Sequence, residues 1–342
     1  MEFGYGLLTA QRPPGSGRGY EQVYDESIRL AQLAEKHGFD VAWTSEHHFF
    51  DDGYSPSVLP LSAALAQATT TIDIGTGIAL APLHDPIRLA EDAATVDLLS
   101  GGRFRLGLAN GYMDREFDVF DVDKSTRGTR VVETIELCRR AWQEGTFSFD
   151  GQLFQYDDLR VEPTPSDGGP EIYLGGTSEH AVERAVRRTD GHIGIVYYDE
   201  EQSYRSSFAQ FEDNLDRMAG RVDDDFTVAL MQYTHVHDDA ETAWDQLRPS
   251  LAYSRRKYAE HADDRDPSQW ELESMTKTEI EQVRNGALVG DTETIVDQLR
   301  TYEAAVDGEL HVLTRMWHPL LDFETHAEAI ERFGEEVIPA FE

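Results

Sequence analysis

The chain has 342 residues, 40% of them hydrophobic, and its 65 acidic against 30 basic residues give a formal net charge of -35. That length is large for one ordinary domain and usual for an α/β barrel with insertions. Such a charge repels nucleic-acid phosphates and anionic lipid headgroups, so neither nucleic acid nor a membrane is expected as a partner. Nearly all the basic residues are arginine, for Lys36, Lys124, Lys257 and Lys277 are the only lysines. A carboxylate-dense, lysine-poor surface suits a cytoplasm of high salt, where screening removes self-repulsion; an acidic protein of ordinary salt is the alternative. The single cysteine, Cys138, falls in a helical pattern, which leaves no disulfide framework. The start "MEFGYGLLTA" lacks the basic residues and long apolar run of a signal peptide, and no uninterrupted apolar stretch reaches bilayer length. A soluble, cytoplasmic protein is expected.

In chain order the predicted strands are "EFGYGLL", "VAWTSE", "IDIGTGIAL", "FRLGLAN", "EIYLGG", "HIGIVYY", "TVALMQYTHV" and "LHVLTRM". Amphipathic segments separate most of them. In Glu21 to His37, for example, Val23, Ile28, Leu30, Ala31 and Ala34 supply an apolar stripe. Strands alternating with helices call for a parallel sheet, because a parallel crossover needs a dozen or more residues. Eight such units predict a closed (β/α)8 TIM barrel forming a single domain over residues 1–342, with an open doubly wound sheet as the alternative. Three stretches break the alternation. Residues 111–130 read as a polar loop, and 145–170 as a small β excursion ending in a Pro/Gly-rich turn. The charged stretch 254–290 reads as a lid or as a solvated helical insertion. Loops after barrel strands lie on the catalytic face.

No Gly-x-Gly-x-x-Gly lies between a strand and a helix. The early "GSGRGY" has the wrong spacing and follows Pro13 and Pro14, so it reads as a loop. A Walker loop is also missing, which disfavours both a Rossmann dehydrogenase and a P-loop NTPase.

The stretch "VAWTSEHHF" ends a strand where barrel chemistry is done, and puts Glu46, His47 and His48 side by side. Three roles are open. His84 offers a further ligand for a metal, yet neighbouring residues on a strand point to opposite faces, so Glu46, His47 and His48 cannot all reach one ion without a bend. A hydrogen-bonded cluster holding the loop at 50–57 is the second role. In the third, one imidazole acts as acid or base on a bound reactant while Glu46 orients it.

Several stretches together resemble the bacterial luciferase-like monooxygenase family. They include "GFDVAWTSEHHF", "IGTGIALAPLHDPIRLAEDAATVDLLSGGRFRLGLANG" and "PEIYLGGTSEHAVERAVRRTDGHIGIV". The likeness runs from Met1 to about Tyr198 and resumes in "LVGDTETIVDQLRTYEAAVDGELHVLTRMW". It implies a flavin-using (β/α)8 barrel, usually a homodimer, in which reduced flavin activates oxygen or passes a hydride. It assigns a catalytic role to His47, with Glu46 beside it, and a non-proline cis peptide to Gly77–Ile78 behind the flavin ring, where the missing side chain of Gly77 admits a flat ring. It also places the flavin phosphate at Gly175, Gly176, Thr177 and Ser178, at a helix N-terminus suited to an anion. A strand–helix turn capped by Thr177 or Ser178 is the plainer reading of those residues. The segment after the fourth strand contributes Asn110 and Tyr112, and the sixth strand Tyr197, to the expected cofactor site.

Asn110 and Ala109 stand where the luciferase catalytic subunit carries a phosphate-binding arginine and a reactive cysteine. The expectation is therefore an enzyme, an FMN-dependent monooxygenase acting with O2 on a small organic substrate. It would receive reduced FMN from a separate flavin reductase and would need no metal. The first alternative is hydride transfer with the deazaflavin coenzyme F-420, which Asn110 and a halophilic archaeal origin would suit. The second is a non-catalytic flavin-binding protein.

Overall fold

The computed structural model describes residues 1–195, 204–222, 225–261, 276–306 and 310–342. The chain opens with β1 (Glu2–Leu8), α1 (Tyr20–Lys36), β2 (Val41–Thr44), α2 (Val58–Ala68), β3 (Asp73–Thr76), β4 (Ala79–Leu80), α3 (Pro86–Ser100) and β5 (Phe104–Ala109). There follow α4 (Asp114–Val119), α5 (Arg127–Gln143), β6 (Phe147–Asp150), β7 (Gln155–Leu159), β8 (Glu171–Gly175), α6 (Glu179–Arg188), β9 (Gly191–Ile195) and α7 (Tyr204–Met218). The last part holds β10 (Thr227–Val236), α8 (Ala240–His261), α9 (Lys277–Asn285), β11 (Leu288–Gly290), α10 (Thr292–Ala305), β12 (Leu310–Arg315) and α11 (Phe323–Arg332).

The main sheet runs β10-β12-β1-β2-β3-β5-β8-β9, and β9 pairs again with β10, so the eight parallel strands close on themselves. This is the (β/α)8 barrel, and the open-sheet alternative falls. The eight predicted strands fall on its eight strands, with Val196, Tyr197 and Tyr198 of the sixth outside the described residues. The register places Gly6 opposite Arg315 and Thr44 opposite Thr76.

The barrel has two apolar compartments. Leu7, Val41, Trp43, Tyr173, Ile193, Ala229, Met231 and Leu313 fill the interior of the ring, so the barrel is plugged. A larger shell packs the outer faces of the strands against the helices; in α1 it takes Val23, Leu30, Ala31 and Ala34, as their spacing predicted, whereas Ile28 stays half-buried. The N-terminal end is closed by a polar network. Arg105 bridges Glu2 (2.9 Å) and Asp73 (2.8 Å), and His311 Nδ1 lies 3.0 Å from Glu2. That leaves the C-terminal end for chemistry.

Two of the interrupting stretches differ from expectation. The "polar loop" 111–130 contains the short helix α4 and the start of α5. Its first turn buries Glu116 and Phe117, which a solvated loop would not do. Residues 145–170 hold the antiparallel β6–β7 hairpin, as predicted. In 254–290, residues 254–261 complete α8, α9 and β11 follow, and 262–275 lie outside the described residues. Among the described residues, no helix is long and apolar enough to cross a membrane.

Candidate active site

Beyond the end of β2 the backbone continues as Ser45–His48, tied to its neighbours by Glu46 N to Ile78 O (3.3 Å) and His47 N to Ser55 O (3.2 Å). Side chains alternate along such an extended run. Glu46 and His48 therefore face one way, and their Oε1 and Nε2 atoms lie 2.8 Å apart. His84 Nε2 lies 3.0 Å from both Glu46 oxygens, and Leu80 N donates to Oε2 at 2.7 Å. Burial by itself would raise the Glu46 carboxyl, but the facing His84, the His48 bond and the Leu80 amide together hold it down at about 2. The same carboxylate raises His84 against the pull of burial.

His47 faces the other way. Its Nδ1 lies 3.0 Å from Glu116 Oε1, and that oxygen also accepts the His48 backbone N–H at 2.9 Å. The residue expected to orient His47 was Glu46. The alternation of the chain sends Glu46 to the opposite side, and Glu116 of α4 takes that place. Four aromatic rings surround the imidazole: Tyr54 at 4.9 Å, Phe50 at 5.4 Å, Tyr258 at 5.5 Å and Tyr112 at 6.0 Å. The Tyr54 hydroxyl donates to Ser45 Oγ at 3.0 Å and meets the Tyr258 hydroxyl at 3.2 Å.

The loop 50–57 is fixed from below and above. Buried Asp52 accepts from Gln11 Nε2 (2.6 Å) and from the Tyr253 hydroxyl (2.8 Å), and Lys257 pairs with Asp51 at 2.8 Å. His261 stacks on Phe50 with centroids 3.9 Å apart. The C-terminal half of α8 is thus one wall of the mouth, which makes the beginning of the 254–290 stretch part of the site.

The expected cofactor residues are placed as follows. The Gly77–Ile78 peptide is cis, with Gly77 N bound to Thr44 O at 2.6 Å. A Cβ at Gly77 would meet Leu313, Leu7 and Trp43 at 3.2–3.3 Å, so the missing side chain makes room for the barrel core. Gly175 is buried at the end of β8. Gly176 has φ +143, and a Cβ there would stand 2.7 Å from Ala181, a position only glycine holds. Ser178 caps α6 by accepting from Ala181 N at 3.3 Å, while itself exposed at the helix N-terminus. The carbonyl oxygens of Gly176 and Thr177 are held by His192 Nε2 (2.8 Å) and Asn214 Nδ2 (3.5 Å). Tyr112 is half exposed beside His47, and Tyr197 lies outside the described residues.

Among the described residues, the polar atoms sealed in the interior without partners include Asn110 Oδ1, Glu116 Oε2 and Arg184 Nη1. Asn110 and Glu116 follow the end of β5. Arg184, on the helix that Ser178 caps, turns toward Gly128 at the start of α5. Of these three atoms, the two oxygens are acceptors and Arg184 Nη1 is a donor. A cavity of about 680 Å³ beside α5, bordered by Gly128, Glu133, Arg140, Gly151 and Arg184, includes none of the mouth residues around His47. Among the described residues no group of His, Cys, Asp and Glu can hold a metal ion. In the Glu46–His48–His84 cluster both imidazoles lie within hydrogen-bond distance of the carboxylate.

Sequence reasoning missed Glu116, Tyr54, Tyr258 and Arg315. Arg315 had a visible signal, being a charge at the C-terminal end of an apolar barrel strand. Glu116 had only "MDREF", an acid between two apolar residues.

A closed parallel barrel with an oriented histidine at its C-terminal mouth defines an enzyme of the TIM-barrel class. The profile of the luciferase-like monooxygenase family matches residues 1–308, and the chain belongs to that family. It is 28% identical to the oxygenase component of the flavin-dependent trigonelline monooxygenase of Acinetobacter baylyi, over 94% of this chain and 91% of that one. The monooxygenase RslO1 of Streptomyces bottropensis shares its fold with a TM-score of 0.84, covering all of both chains at 21% identity. An F420-dependent secondary alcohol dehydrogenase does so with a TM-score of 0.75 at 19% identity, covering 100% of this chain and 99% of that one.

Proposed function

We propose that the protein is the oxygenase component of a two-component flavin monooxygenase, taking reduced FMN from a separate reductase and inserting one oxygen atom into a small organic substrate. The observation that carries this reading is the nearly full-length likeness to an oxygenase component named as flavin-dependent. When bound, reduced FMN supplies the electrons that divide O2 between the substrate and water. The chain's own residues do the rest. Ile78 and Asn110 would hold the ring, and the N-terminus of α6 with Thr177 and Ser178 would hold the phosphate, with Arg184 of the same helix as a cation for it. Glu116 accepts from His47 Nδ1, which fixes the tautomer and leaves Nε2 as the atom that takes or gives a proton. The rings of Phe50, Tyr54, Tyr112 and Tyr258 keep water from it. Glu46 holds His48 and His84 and thereby the backbone that carries His47. A homodimer is inferred from family membership.

The test is a pair of anaerobic titrations, with reduced FMN and with reduced F-420, followed by admission of oxygen. Tight binding of reduced FMN, with oxygen-dependent turnover abolished in His47→Ala and binding retained, is the expected result. Tight binding of F-420 alone would overturn it in favour of hydride transfer. Unchanged turnover in His47→Ala would remove the histidine from the chemistry.

A further inference from the structure

Arg315 closes β12 at the mouth of the barrel and is 9% exposed. A guanidinium stays charged in any surroundings, and a charge taken out of water needs an opposite charge or a full set of acceptors. Arg315 has neither. Its one hydrogen bond runs from Nη2 to the Tyr258 hydroxyl at 3.3 Å, and it makes no ion pair among the described residues. Two aromatic faces cover part of it, Tyr233 at 4.3 Å and Tyr258 at 5.8 Å from Cζ. The contrast with the rest of the chain is informative. With 65 carboxylates against 30 cations, carboxylate partners are abundant, and Arg18, Arg88, Arg105 and Arg139 each have one. Its remaining nitrogens are not among the fully sealed atoms left without partners, so the side chain keeps a slight access at the mouth.

The Arg315 head group lies close to the rings that border His47. The Tyr258 hydroxyl that Arg315 touches meets the Tyr54 hydroxyl, and both rings border His47 at 5.5 and 4.9 Å. A guanidinium offers a planar fork that matches a carboxylate in two parallel hydrogen bonds.

Resting on the flavin monooxygenase reading, we propose that Arg315 anchors a carboxylate carried by the substrate, holding the rest of the molecule beside Tyr258 and His47. The enzyme's substrates are then small organic acids, and Arg315 positions them without touching the reacting atoms.

Calorimetric titration of the whole protein with benzoate and with benzamide, with and without anaerobic reduced FMN, tests this. Saturable benzoate binding, with benzamide weaker by about ten- to a hundredfold, is expected. Arg315→Leu should lose benzoate by the same factor while binding reduced FMN within about twofold of the parent. Arg315→Lys should fall between them, and it carries the test if the leucine variant does not fold. Equal binding of benzoate and benzamide, or benzoate binding that survives Arg315→Leu, overturns the proposal. So does a variant that loses FMN and keeps benzoate, since the arginine then serves the flavin. If the parent prefers benzoate and binds no reduced FMN, the anion anchor is supported and the flavin reading is what fails.

Discussion

His47 Nδ1 and Glu116 Oε1 lie 3.0 Å apart although the residues are 69 positions apart in the chain, one beyond a barrel strand and the other in a six-residue helix. The same oxygen receives the His48 amide, so Glu116 fixes both the ring and the backbone that follows it. Replacing Glu116 by Gln keeps the shape and removes the charge. Turnover with reduced flavin and oxygen should fall about 10- to 100-fold, as for other carboxylates that orient a functional histidine. Flavin affinity should move by less than about twofold. Steady-state rates paired with a flavin titration check this, and a variant with parental turnover would show that the pair is structural.

Glu46 answers to a different measurement. Its carboxylate is buried beneath two imidazoles and one amide, so Glu46→Ala leaves His48, His84 and Leu80 N without their acceptor. Removing one side of a buried charged network costs about 3–5 kcal/mol. The pH sign is set by the depressed carboxyl at about 2: its contribution is present above pH 4.5 and is lost as pH falls through 2. Urea unfolding at pH 7 should show the loss in Glu46→Ala. A midpoint within error of the parent would contradict the network.

Acid should weaken the fold well before the carboxylates titrate, because several interior histidines are held neutral. Burial pushes His192 and His326 down to about 4, and His318 further below its usual value. The geometry of His326 explains why. Its Nδ1 donates to Asp322 O at 2.7 Å and its Nε2 accepts from His318 N at 2.8 Å, so a second proton would set two donors against each other. The unfolded chain binds protons near pH 6.5 and the folded one does not, so stability falls as pH drops from 6.5 toward 4. At pH 5 each of the two should cost about 2 kcal/mol. Urea midpoints at fixed salt should drop between pH 7 and pH 5, and His192→Gln, which keeps a donor for Gly176 O, should flatten the drop by one group's share. An identical slope in that variant would exclude His192 as a contributor.

The barrel was legible because each of its strands is a short apolar run between helical patterns, and the runs from "EFGYGLL" to "LHVLTRM" needed no long-range information. Glu46, His47 and His48 were legible as a strand-end cluster for the same reason. Their division of labour was not read, although a period of two already sends Glu46 and His47 to opposite sides. The Glu116 partnership was out of reach, because six residues of helix leave too short a periodic trace to distinguish from a polar loop. Arg315 was visible as a charge at a strand end, but its want of a counter-charge is a property of the assembled mouth. The short strand Leu288–Gly290, paired to the end of β10, also escaped notice.

Trp43 sets the size of the barrel interior. It is fully buried, its Nε1 donates to His311 Nε2 at 3.0 Å, and Tyr173 meets it edge-on at 6.0 Å. The strands on either side answer with glycine: a Cβ on Gly4 would overlap the pyrrole edge of the indole, and one on Gly75 the benzo edge. Gly75→Ala therefore forces either the indole or β3 to move, at a cost of about 1–3 kcal/mol or somewhat more. Trp43→Phe removes the benzo edge and leaves a cavity, so it should also destabilise the parent. Combined, the two changes should cost less than their sum, because the added methyl occupies space that the smaller ring vacates. Urea unfolding of the four proteins in this cycle gives the coupling directly. Strict additivity would mean that Gly75 is glycine for some reason other than the indole beside it.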